Sequence, residues 1–88
     1  MKNSLDQYAL NLELDNNFAQ ILVYIDSDLM LKNAKKLIEE LGISILSSKR
    51  LSFNVVILKL DTKDMRNVIL KLTENGFHEI RGYNASSF

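Results

Sequence analysis

Two stretches of this chain, DLMLKNAKKLIEEL at 28–41 and TKDMRNVILKLTEN at 62–75, are each halted by a glycine and followed by a large apolar residue. The pairs are Gly42-Ile43 and Gly76-Phe77. In the first stretch Met30, Ala34, Leu37, Ile38 and Leu41 recur at the 3.6-residue period of a helix with one buried stripe, leaving Lys32, Lys35, Lys36, Glu39 and Glu40 on the wet side. In the second, Met65, Val68, Ile69 and Leu72 form the stripe. Asp26, Ser27 or Asp28 can cap the first helix, and Asp61 or Thr62 the second, by accepting a bond from an orphan backbone N–H. Glycine then ends each helix because it enters the left-handed conformation without a Cβ clash.

A strand-like run precedes each helix, AQILVYI at 19–25 and NVVILKL at 54–60, and a more polar one follows each glycine, ISILSSK at 43–49 and FHEIRGY at 77–83. The chain is therefore a strand-helix-strand unit written twice, at an offset of 34 to 35 residues. Two copies are too few for a solenoid. Fused in sequence with right-handed crossovers, they predict an α+β fold of the ferredoxin-like βαββαβ kind, a four-stranded antiparallel sheet with both helices on one face. Strand composition agrees, since the first and third strands, central in that arrangement, are apolar on both parities. The second and fourth are interrupted by Ser, Lys, His, Glu and Arg, as suits edges that must not pair at random. SSKRLS at 47–52 is the expected hairpin between units, although it lacks an Asn-Gly or Asp-Gly step.

On this reading residues 18–84 are the domain, 1–17 an N-terminal extension and 85–88 a tail. Within the extension YALNLEL at 8–14 alternates Tyr8, Leu10, Leu12 and Leu14 against Ala9, Asn11 and Glu13, the pattern of an amphipathic strand. Leu5, Tyr8 and Leu12 equally suit a short helix.

Eighty-eight residues bury little core, and with no cysteine there is neither a disulfide framework nor a thiolate metal cluster to reinforce it. Eleven basic side chains balance eleven acidic ones, so no overall field draws the chain to nucleic acid or to an acidic membrane, and neither is an expected partner. Apolar runs such as ILVYI at 21–25 are too short to span a bilayer, and MKNSLDQYAL lacks a signal peptide's apolar segment. A cytoplasmic location is expected.

Two helices roof only one face of a four-stranded sheet. Whichever parity meets them, the other keeps Leu22 and Tyr24, or Ile21, Val23 and Ile25, on the first strand, and Val56, Leu58 and Leu60, or Val55 and Ile57, on the third. Leaving four or five such side chains wet would forgo about 6–15 kcal/mol, comparable with the roughly 5–15 kcal/mol stability of a whole domain. A cover is expected, from a second copy, a partner protein or the N-terminal segment. The interface expected on these grounds comprises Leu22, Tyr24, Val56 and Leu58 with Leu10 and Leu12.

LIEELGISILSSKR, followed by VVILKLDTKDMRNVILKLTENGFHEI, resembles the ACT domain family. The likeness covers about residues 19–83 and lies in the strand order, the Gly-Ile step after the first helix and the closing helix-Gly-aromatic step. It implies a non-enzymatic regulatory module that forms a homodimer or higher homo-oligomer and binds an amino acid or another small effector at the subunit boundary. The family's ligand loop follows the first strand and typically carries a Pro-Gly step; here it reads DSDLM, without one. The ligand-binding residues so implied are Asp26, Ser27, Asp28 and Leu29, with Ser44, Ile45 and Leu46 of the second strand. A plainer reading makes Asp26 to Asp28 helix caps and Ser44 a solvated strand residue.

Signs of catalysis are sparse. His78 is the single histidine, beside Phe77 and Glu79 on an expected edge strand, and all three glycines, at 42, 76 and 82, fall outside any phosphate-binding loop. No catalytic residue, metal or cofactor is expected. Asp26 and Asp28 suit a hard divalent cation, and Asp26 in VYIDSD is similar in placement to the metal-binding Asp of a small CRISPR-associated family of ferredoxin-like dimers with nuclease members. Lys49 and Arg50 make a small basic tip, with RGY at 81–83 a candidate neighbour. A regulatory module, a scaffold module without a small ligand, and a metal-dependent nuclease are the three readings, in that order.

Overall fold

The computed structural model describes residues 18–83 of the 88. Strand β1 (Ala19–Tyr24) leads to helix α1 (Asp28–Glu40), then β2 (Ile45–Ser52), β3 (Val55–Leu60), helix α2 (Met65–Glu74) and β4 (Ile80–Tyr83). The strands form one sheet in the order β2-β3-β1-β4. Every neighbouring pair is antiparallel. The two apolar strands are therefore central and the two polar ones are edges, as their composition predicts.

Both helices stop as the glycines require. Gly42 has φ +80° and Gly76 φ +94°, and no other residue type takes a positive φ among the described residues. The starts differ. Ser27, one of the three expected caps, accepts from the Met30 amide at 3.2 Å. At α2 the cap is Asp64 rather than Asp61 or Thr62, so the helix begins at Met65, the first residue of its apolar stripe, and not at Thr62. The physical reason is local competition: the Thr62 hydroxyl accepts from the Asp64 amide at 3.0 Å and shapes a turn, while Asp64 accepts from the backbone and the side chain of Asn67.

A second difference lies between the halves. β2 continues through SSKRLS to Ser52, and the turn is only Phe53-Asn54. The pairing register of β2 on β3 shifts between Ile45 and Ser47 and again between Arg50 and Ser52. Such irregularities add local twist, which allows a tight connection without the positive-φ residues that primed hairpin turns demand.

The core lies between helices and sheet. Ile21, Val23 and Ile25 of β1 and its extension, and Val56, Leu58 and Leu60 of β3, pack with Ala34 and Ile38 of α1, Val68 and Leu72 of α2, and Phe77. Strand alternation then puts Leu22, Val55 and Ile57 on the other face, flanked by Tyr24, Leu51 and Tyr83. Pairing confirms the parity: Leu22 stands opposite Ile57, and Tyr24 opposite Val55. Val56 and Leu58 therefore do not share a face with Leu22 and Tyr24. The expected grouping of Val56 and Leu58 with Leu22 and Tyr24 is thus corrected, since Val55 and Ile57 share their face instead; Leu10 and Leu12 lie outside the described residues. The far face is not wet either, since Leu22 is 0% exposed, Val55 4% and Ile57 8%.

No helix among the described residues is long and apolar enough to cross a membrane.

Candidate functional site

The β1–α1 junction carries four of the seven expected ligand residues, and its shape follows from the strand ending. Ile25 donates to the Asn54 carbonyl at 2.8 Å, which ties the end of β1 to the β2–β3 turn. Asn54 also donates through its side chain to the Tyr24 hydroxyl at 2.8 Å. Beyond Ile25 the chain bends through Asp26 and Ser27 into α1. The Asp26 amide points at the Met30 sulfur at 3.4 Å, and Ser27 serves as the cap. Asp28, in the first turn, is 94% exposed at its side chain, yet Arg50 of β2 reaches it at 2.8 Å. The other Arg50 terminal nitrogen donates to the Phe53 carbonyl at 2.9 Å, so one guanidinium joins the helix start to the hairpin tip.

Leu29 projects outward and opens a groove of about 420 Å³ along α1, with Met30, Asn33 and Leu37 on one side and Asn75 and Phe77 on the other. At the hairpin tip Phe53 is 88% exposed. This end of the molecule thus offers a carboxylate, a guanidinium, a hydroxyl and apolar surface within one neighbourhood.

The remaining expected residues are elsewhere. Ile45 pairs with Leu60, and the Ser44 carbonyl accepts from the Asp61 amide at 2.9 Å. Tyr24 pairs with Val55. Val55 and Leu60 are opposite ends of β3, which at about 3.3 Å per residue puts Ser44 to Leu46 roughly 17 Å from the β1–α1 junction. One chain does not bring the two halves of the expected site together. Ser44 and Leu46 are exposed, while Ile45 is half-buried against the helix-side core. The two basic segments are also apart, because β2 and β4 lie at opposite edges with two strands between them.

Arg50 is the residue the sequence reading undervalued. Its partner Asp28 is 22 positions away, and only the sheet register, with Arg50 opposite Val56, shows which end of the molecule it serves. Among the described residues no group of three or more His, Cys, Asp or Glu side chains is placed to hold a metal ion. Asp26 is exposed at the bend, and His78 is exposed ahead of β4. No protein-family model and no curated protein matches this chain.

Proposed function

We propose that this chain is a regulatory module of the ferredoxin-like, ACT type, which associates in pairs and senses a small zwitterionic effector at the boundary between two copies. The observation that carries the reading is the separation of the two halves of the site along the length of the sheet. β2 is an edge strand with most of its side chains in water. Pairing two β2 strands antiparallel about a twofold axis lays the Ile45 end of one copy beside the Ser52 end of the other. Ser44 to Leu46 of each copy then face the partner's Asp28–Arg50 neighbourhood.

The chemistry at that end suits an amino acid. Arg50 is a bidentate donor for a carboxylate, and Asp26 and Asp28 are acceptors for an ammonium group. An effector of this kind exchanges the Arg50–Asp28 contact for two contacts of its own, and so favours one arrangement of the pair over another. The output of that population shift is the relative orientation of two copies.

The test has two parts. In a chain without cysteine, single substitutions Ser47→Cys, Ser48→Cys and Lys49→Cys should yield a disulfide-linked dimer for at least one position. A thermal-shift panel of amino acids should include members that raise the melting point of the wild type, by mass action, and have no effect on Arg50→Ala. Failure of all three cross-links together with a silent panel would overturn the reading.

A second reading, a scaffold module that binds a protein, has one observation in its favour. Leu41 and Leu70 are exposed on the helix layer and share a cleft of about 400 Å³ with Ile43, bordered by the Lys71–Glu40 ion pair at 3.6 Å. A silent effector panel with intact dimers would favour it.

A further inference from the structure

Leu22 has no accessible surface, and Val55 and Ile57 have almost none, on the sheet face that carries neither helix. Gln20 of the same parity is also buried. Tyr24, Leu51 and Tyr83 flank these residues from within the sheet and stand beside them, not above them. Central side chains on an uncovered sheet face keep a water-facing end, so a shield is required that none of the six described elements supplies.

We propose that residues 8–14 of this same chain are the shield, with Tyr8, Leu10, Leu12 and Leu14 turned toward Leu22, Val55 and Ile57. The chain enters β1 at Ala19, in the middle of the sheet, next to the face in question. Asp15, Asn16 and Asn17 are turn-forming residue types and lie between the alternating segment and that entry point. Seven residues in extended form reach roughly 23 Å, and four strands are about 19 Å across, so this segment is long enough to cross the layer. Its alternation supplies one apolar side, and Asn11 and Glu13 supply a wet one. The far face is then an internal interface, closed in cis, which leaves the β2 edge free for another copy. The inference does not depend on any effector or on that edge.

The experiment uses the full chain carrying Ile57→Cys as its only thiol. Labelling by a thiol reagent should be slow and independent of protein concentration. Adding Leu10→Asp and Leu12→Asp should accelerate it by about tenfold or more, because the face then opens locally. Adding Asn11→Asp, on the other parity, should leave the rate unchanged. Equal rates in all three proteins would overturn the proposal, and protection that disappears on dilution would do so by assigning the shield to a second copy. Should the double aspartate variant lose its circular-dichroism signal, oxidation of Leu10→Cys or Leu12→Cys paired with Ile57→Cys decides the matter. An intramolecular disulfide in either pair supports the cis shield; a linked dimer or no bond in both rejects it.

Discussion

The two outer strands descend from the same position in a repeated unit, yet they have met different fates. Ser48 of β2 and Gly82 of β4 are 34 positions apart, the same spacing as the two helix-stopping glycines. Ser48 pairs with Leu58 and Gly82 with Ile21, so both sit at the helix-facing parity of an edge strand. At Gly82 helix α2 presses on the strand: a Cβ there would meet the Met65 sulfur at 2.7 Å and an Ile69 methyl at 3.1 Å. At Ser48 the side chain is exposed. The helix layer has closed over one edge and left the other open.

The largest effects should show the two halves to be alike where they are buried. Ile38 and Leu72 each stand four residues before a stopping glycine, and both are fully buried. Ile38→Ala and Leu72→Ala should each lower the stability by about 2–5 kcal/mol, through lost burial and the cavity left behind. Urea denaturation with unchanged m-values would measure this. A loss confined to one of the two would show that the halves do not share the core.

Smaller, and more discriminating, is the contrast at the edges. Gly82→Val should cost about 1–3 kcal/mol because Met65 must move aside to admit the new methyl groups. Ser48→Val, an equivalent change on the open edge, should stay within about 0.5 kcal/mol of wild type. Similar losses at both positions would mean that α1 closes β2 as α2 closes β4.

Where the residues act through their own backbone preference or a fixed period, the sequence was readable. The helix stripes, the glycine stops and the division into apolar inner and polar outer strands depend on spacing within a dozen residues. Other features depend on a choice among near-equals. Asp61, Thr62 and Asp64 are all residue types that can accept a hydrogen bond from a backbone amide, and Asp64 capped α2 because Thr62 was already engaged by the Asp64 amide. Both parities of β1 and β3 are apolar, so composition alone did not say that Val55 and Ile57, rather than Val56 and Leu58, accompany Leu22. The candidate site was half legible for a geometric reason. β1 ends where β2 ends, so the first residues of β2 fall at the far pole from the β1–α1 junction.

The smallest expected effect concerns the ion pair that ties the start of α1 to β2. Arg50 joins Asp28, at the start of α1, to the Phe53 carbonyl just after the end of β2. The Arg50 side chain is 44% exposed and that of Asp28 94%, so water and salt screen most of the attraction. Arg50→Ala should therefore change the stability by only about 0–1 kcal/mol, and Asp28→Asn by no more. A double-mutant cycle at low salt should return a coupling of a few tenths of a kcal/mol that fades as salt is added. A small coupling would leave Arg50, which bridges the helix start and the hairpin tip, able to exchange Asp28 for another anion at little cost. A coupling well above 1 kcal/mol and insensitive to salt would instead make Arg50 a structural clamp, and would leave the open edge without its proposed effector-binding cation.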